Sequence, residues 1–141
     1  MTATQDILDL GGYGPVTRTD LVRYAGAGGD FNPIHHDDDF ARGAGYPSVF
    51  GHGLLTAGIL ASRVTARFGA DRLRRFSVRY RDQVWPGDTL TCTAQPDPDP
   101  ADPAPGEHYQ LQVHARRADG REALVLTGTA VIGAVPSGAA S

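Results

Sequence analysis

Asp30 and His35 stand five positions apart in the stretch Gly29-Asp30-Phe31-Asn32-Pro33-Ile34-His35. Imidazole is the side chain that titrates nearest neutral pH, and a carboxylate beside it can orient it or act as a second acid or base, so the pair can move protons. Seventeen residues past His35 come His52 and Gly53, ahead of a long apolar run. If Gly53 opens a helix, its N–H has no partner within that helix, and the helix dipole favours negative charge there. A glycine at that place also lets a carbonyl oxygen approach closely. Proton transfer beside a seat for a developing oxyanion is the chemistry these residues offer.

Other chemistries are served less well. His35-His36-Asp37-Asp38-Asp39 collects ligand types, but adjacent side chains diverge and no H-x-x-x-H or C-x-x-C spacing occurs, so no metal is expected. No G-x-S-x-G is present to mark a nucleophilic serine. Gly26, Gly28 and Gly29 do not follow an apolar strand, and Asp30 would repel a phosphate, so no phosphate cradle and no cofactor are expected. Cys92 is the only cysteine and sits in the alternating run TLTCTA, where it reads as a small buried filler.

The elements that must position the pair can be read from periodicity and punctuation. Thr17 to Ala27 predicts a short helix with Thr19 as N-cap and Asp20 at its positive end. Asn32 suits an N-cap and Pro33 a first helical position, which places His35 in the first turn of a second short helix. Asp37, Asp38 and Asp39 read as solvated. Gly53 to Phe68 predicts a long helix, apolar over most of its surface and therefore wrapped by other structure. Strands follow: Phe76, Val78 and Tyr80 alternate with Ser77, Arg79 and Arg81, and further strands are expected over 89–94, 109–115 and 122–132. Trp85-Pro86-Gly87-Asp88 and Ala118-Asp119-Gly120 read as turns, and the proline-rich 95–107 as an exposed connection. Residues 1–15 read as an arm or edge strand. Helices segregated from antiparallel strands make an α+β domain over 1–135, with a disordered tail over 136–141.

The chain has 141 residues, 40% of them hydrophobic, enough for one packed core. A net charge of −3 argues against binding nucleic acid through bulk positive charge. No secretory leader and no membrane-spanning run is visible, so a cytoplasmic protein is expected. There is no lysine, and seven of the arginines fall between Arg63 and Arg81.

Taken together, Tyr24 through Gly58 resembles the MaoC-like, or (R)-specific enoyl hydratase, group of hotdog-fold proteins. The match lies in the glycine-aspartate-x-asparagine-proline-x-histidine run at 29–35 and the histidine-glycine pair at 52–53. Within that group it resembles the small catalytic subunits of type II fatty-acid-synthase dehydratases. The resemblance implies a hotdog domain, a long central helix wrapped by an antiparallel sheet. It implies reversible syn elimination of water from a (3R)-3-hydroxyacyl thioester, with Asp30 and His35 as the acid/base pair and the Gly53 N–H on the thioester oxygen. Asn32 and His52 would support the catalytic loop, and His36 would face away. It also implies a substrate carried on coenzyme A or acyl carrier protein, and pairing as a homodimer or as a heterodimer with a related subunit. Both carriers are anionic, so some of Arg63, Arg67, Arg72, Arg74 and Arg75 are expected at the pocket entrance. The alternative reading is a non-catalytic partner subunit, which the intact Asp30, Asn32, His35 and Gly53 disfavour.

Overall fold

The computed structural model describes residues 6–138; the first part of the expected arm and the last three residues of the expected disordered tail lie outside them. Strand β1 (Leu8–Tyr13) leads into helix α1 (Arg18–Gly28). A 3-10 turn over Pro33–His35 and the short helix α2 (Asp38–Gly43) precede the long helix α3 (Gly53–Phe68). Four strands follow: β2 (Leu73–Tyr80), β3 (Thr89–Pro96), β4 (Glu107–Arg116) and β5 (Glu122–Ile132). They form one antiparallel sheet with β1, in the order β1-β3-β4-β5-β2.

The alternation that marked the strands sorts their side chains. Leu90, Cys92 and Ala94 of β3 and Leu111, Val113 and Ala115 of β4 are buried on one face. That face receives Ile59, Leu60 and Val64 of α3, which complete the core. A fully buried aliphatic side chain contributes about 1.5–3 kcal/mol. Leu60 and Val64, both 0% exposed, therefore anchor α3 firmly to the sheet. Cys92 is equally buried, and burial pushes its thiol up to about 11, as befits a filler.

α3 is not wrapped all round. Leu54, Gly58, Ser62 and Ala66, spaced four apart, leave one stripe of it exposed. A 3-10 turn over Ala70–Arg72 reverses the chain after α3, so edge strand β2 runs back along the helix and brings Tyr80 beside Gly53.

The helix starts differ from expectation in two places. Thr17, not Thr19, caps α1: its Oγ1 accepts from the Asp20 N–H at 3.1 Å, and Asp20 Oδ2 accepts from the Thr17 N–H at 2.8 Å. The reciprocal bond required a carboxylate three residues on, which only Thr17 has. Thr17→Ala should lower stability by about 1 kcal/mol, read by urea unfolding; an unchanged midpoint would mean the box contributes nothing. The acidic run also takes structural roles, although most of it is solvated as expected. Asp37 caps α2 through the N–H groups of Asp39 and Phe40, and Asp38 holds Arg18 at 3.0 Å and the Val49 N–H at 3.1 Å. Asp37 and Asp39 both stay exposed, Asp39 with a 3.5 Å pair to Arg42. Among the described residues no helix is long and apolar enough to cross a membrane.

Candidate active site

Local rules bring the acid and the imidazole together. α1 ends at Gly29 in the left-handed conformation (φ 68°), and the chain turns sharply into Asp30. Asn32 Oδ1 accepts from the Ile34 N–H at 3.1 Å and Pro33 opens the 3-10 turn, as its fixed φ favours. His35 is the last residue of that turn. Its Nδ1 lies 2.7 Å from the carbonyl oxygen of Phe50. A carbonyl can only accept, so Nδ1–H is the donor and Nε2 of the neutral ring keeps its lone pair.

His52 closes the arrangement from the helix side. It is 3% exposed, its Nε2–H donates to the Asp30 carbonyl at 3.0 Å, and its ring stacks on His35 with centroids 3.7 Å apart. Tyr24 of α1 tilts against the other part of the His52 ring at 4.8 Å. His52 Nδ1 is buried and has no hydrogen-bond partner among the described residues. Ligating atoms of Asp30, His35 and His52 all lie within 4.8 Å of one another. Two hydrogen bonds of about 2.8 Å meeting at a tetrahedral oxygen span about 4.6 Å, so one water can touch both the carboxylate and an imidazole.

His35 Nδ1 and His52 Nε2 are spent as donors to carbonyls. The Asp30 carboxylate, His35 Nε2 and the buried His52 Nδ1 keep their lone pairs, and a metal could take the other ring nitrogens only by breaking the bonds that orient the two rings.

His52 is also the N-cap of α3, yet its side chain makes no capping bond. A Ser, Thr or Asp would ordinarily stand there and satisfy a first-turn N–H. The N–H of Gly53 has no acceptor among the described residues, and Gly53 lines the same cavity. That cavity measures about 490 Å³. Its lining includes Tyr24, Asp30, His35 and Gly53, and across from them Val84 and Val125. Burial drives the His35 pKa below its ordinary 6.5; the Phe50 carbonyl opposes this, the neighbouring His52 adds to it, Asp30 opposes it and His36 adds a little. The ring is therefore neutral, a base, at physiological pH.

The predicted residues thus divide. Asp30, His35, His52 and Gly53 converge on one cavity, and Asn32 supports the turn between them. His36 turns away, exposed, with Nε2 on the Phe31 carbonyl at 3.1 Å. Of the arginines singled out in the sequence, Arg63, Arg67, Arg72, Arg74 and Arg75 do not line the cavity, whereas Arg81, the last of the seven, does. Arg63 donates to the Gly12 carbonyl at 2.7 Å and Arg67 lies 5.9 Å from the Phe68 ring. Arg74 bonds the Asp71 carbonyl, Arg75 pairs with Asp102 at 3.0 Å, and Arg72 with Glu107 at 3.6 Å. Fourteen residues separate Arg67 from Gly53, about 21 Å of helix, so this cluster sits toward the far end of α3. Sequence reading overlooked Phe50, whose carbonyl sets the His35 tautomer, and the segment 80–84 as a cavity wall. The only sign of the latter is its place between β2 and the Trp85-Pro86-Gly87-Asp88 turn.

Comparison with known proteins agrees with this architecture. A family model described as "MaoC like domain" matches residues 9–97. The chain is 41% identical over 69 residues to 3-hydroxyacyl-thioester dehydratase X of Mycobacterium tuberculosis, a match covering 49% of this chain and 24% of that protein. The chain spans a quarter or less of the length of the curated relatives it matches. Among solved structures, an (R)-hydratase from A. caviae involved in PHA biosynthesis superposes with a TM-score of 0.70 at 20% identity, covering 93% of this chain and 96% of that one. The ChsH1-ChsH2 complex from Mycobacterium tuberculosis gives 0.70 at 23% identity, covering 96% of this chain and 100% of that one.

Proposed function

Because the chain belongs to the MaoC-like family and has its hotdog fold, we propose that it is a hydro-lyase, interconverting a (3R)-3-hydroxyacyl thioester with the trans-2-enoyl thioester and water. The observation that carries this reading is the convergence of the Asp30 carboxylate and the His35 ring within 4.8 Å, in one cavity with the open N-terminus of α3. In the hydration direction a water lies between Asp30 and His35. One of the pair accepts a proton from that water as its oxygen bonds to Cβ, and the pair gives a proton to Cα on the same face, so that it ends with as many protons as it began. Negative charge gathers on the thioester oxygen meanwhile, and the Gly53 N–H donates to it. Dehydration is the reverse, so the same groups serve both directions.

A named relative is a 3-hydroxyacyl-thioester dehydratase and a structural neighbour an (R)-hydratase, which is the substrate class this site is suited to. Coenzyme A or an acyl carrier protein would hold the acyl group, and the distant arginines enter only as a surface for that anionic carrier. Leu54, Tyr80 and Phe31 leave apolar surface exposed near the cavity, and β2 is an outer strand of the sheet among the described residues. We take these as the face that a second hotdog subunit covers, identical or related.

Hydration of crotonyl-CoA, followed by loss of the enoyl absorbance, tests the reading. Wild type should turn over and Asp30→Asn should lose roughly 10²-fold or more. Equal rates in the two would sink the assignment. The pH profile is a second check. His35 serves as acceptor only while neutral, and its pKa lies below 6.5. Wild-type kcat/KM should therefore stay level as pH falls toward 6.5 and drop only below it. An acid limb centred above 6.5 would contradict the role given to His35.

A further inference from the structure

We infer that Arg117 is a positioning residue for this site: it clamps the segment 82–88, and that segment fixes the carbonyl on which His35 is oriented. The inference rests on the acid–base reading above. Arg117 sits where β4 passes into its turn, its N–H donating to the Arg121 carbonyl at 2.7 Å. It does not line the cavity, whereas Asp82, Gln83 and Val84 do.

Its guanidinium, 12% exposed, reaches three acceptors of that one segment. These are the Gln83 carbonyl at 3.0 Å, Asp82 Oδ2 at 3.0 Å, and the carboxylate of Asp88. Asp88 is only 2% exposed, and its Oδ2 also accepts the Trp85 N–H at 2.8 Å. A buried carboxylate needs its cation, and removing one partner of such a pair leaves the other charge uncompensated. The planar fork of arginine reaches all three acceptors at once, which a lysine cannot do. The segment is thereby held in one shape.

Two links carry that shape to the imidazole. The Gly51 N–H donates to the Val84 carbonyl at 2.8 Å, one residue past Phe50. The Trp85 ring also meets the Phe50 ring edge-on at 5.5 Å, and the Phe50 ring meets that of His35 at 5.3 Å. Phe50 is the residue whose carbonyl takes Nδ1–H of His35. Movement of residues 83–85 therefore displaces that acceptor through both backbone and ring. A misplacement of about 1 Å in such a group costs about 10²-fold in rate.

The test compares Arg117→Met, Arg117→Lys and Asp82→Asn with wild type, each first shown folded by thermal unfolding. The substrate-free readout is the pair of ring ¹⁵N shifts of His35. Wild type should show the Nδ1–H tautomer, and folded Arg117→Met a mixture of both. In turnover of crotonyl-CoA, kcat of Arg117→Met should fall at least about tenfold with KM changed less than about threefold, and Arg117→Lys should recover part of the loss. If Arg117→Met does not fold, Asp82→Asn carries the test, since it weakens one tie and leaves buried Asp88 paired. A wild-type tautomer together with kcat within about twofold of wild type, in whichever of the two variants is folded, overturns the clamp. Should the wild type fail with every acyl thioester while the tautomer shifts as expected, the proposed reaction falls and the clamp stands.

Discussion

His35→Ala is expected to lower crotonyl-CoA hydration by about 10³-fold or more, while His36→Ala leaves it within about twofold of wild type. The two histidines are neighbours in sequence and differ in direction. His35 ends the 3-10 turn with Nδ1–H on Phe50 and a ring nitrogen within 4.8 Å of the Asp30 carboxylate. His36 follows with φ −142°, which swings its ring outward onto the Phe31 carbonyl. Losing that exposed bond is a small cost, and no group of the cavity depends on it. Losing His35 removes an acceptor of protons and the partner of a half-buried carbonyl together. His35→Gln, which can still donate to Phe50, separates the two effects: it should preserve the thermal midpoint better than alanine and be just as inactive. Equal loss of activity in His35→Ala and His36→Ala would place the base elsewhere.

The parts of the site governed by local rules were legible in the sequence. Asn32 and Pro33 dictate a helical turn whatever surrounds them, so His35 follows at a known angle from Asp30. Gly53 to Phe68 announced a helix at both ends, with an apolar face between. The capping of α1 was also local, but Thr17 and Thr19 both precede a plausible helix, and only the partner three residues on separates them. Asp37 is solvated as expected, but its capping of α2 was hidden because a run of three carboxylates looks like nothing more than a solvated face, although the first of them stood where an N-cap belongs.

What was not legible depends on contacts far apart in the chain. Phe50 acts through its carbonyl, and a main-chain acceptor leaves no mark on residue type. The wall 80–84 reaches the cavity because β2 pairs with β5 and returns along α3. The arginine cluster shows the opposite error. Nearness in sequence suggested one patch at the pocket mouth, but α3 and β2 run in opposite directions. The arginines at the turn between them gather at the end of α3 away from Gly53, against Asp102 of the proline-rich connection and Glu107 at the start of β4.

The second large effect concerns the N–H of Gly53, and it can be isolated. A Cβ at Gly53 would stand 2.8 Å from Cε1 of Tyr80, too close to keep both in place. Tyr80 is 53% exposed at the end of an edge strand, so its ring can be removed without opening the core. In a Tyr80→Ala background, Gly53→Ala adds the methyl group and keeps the N–H. Gly53→Pro in the same background adds similar bulk and deletes the N–H. The site accepts proline on local grounds: Gly53 is the first residue of α3, where the N–H has no partner in the helix, and His52 before it is already extended at φ −61°, ψ 136°. The helix should persist in both, with closely similar thermal midpoints. The proline variant is expected to turn over crotonyl-CoA about 10²–10³-fold more slowly than the alanine variant, the usual worth of one oxyanion donor. The deficit should lie in kcat, because the N–H bonds the oxygen most strongly when it carries charge. Rates that match within about twofold would mean that the open end of α3 takes no part in the chemistry, and that glycine stands at position 53 only to make room for Tyr80.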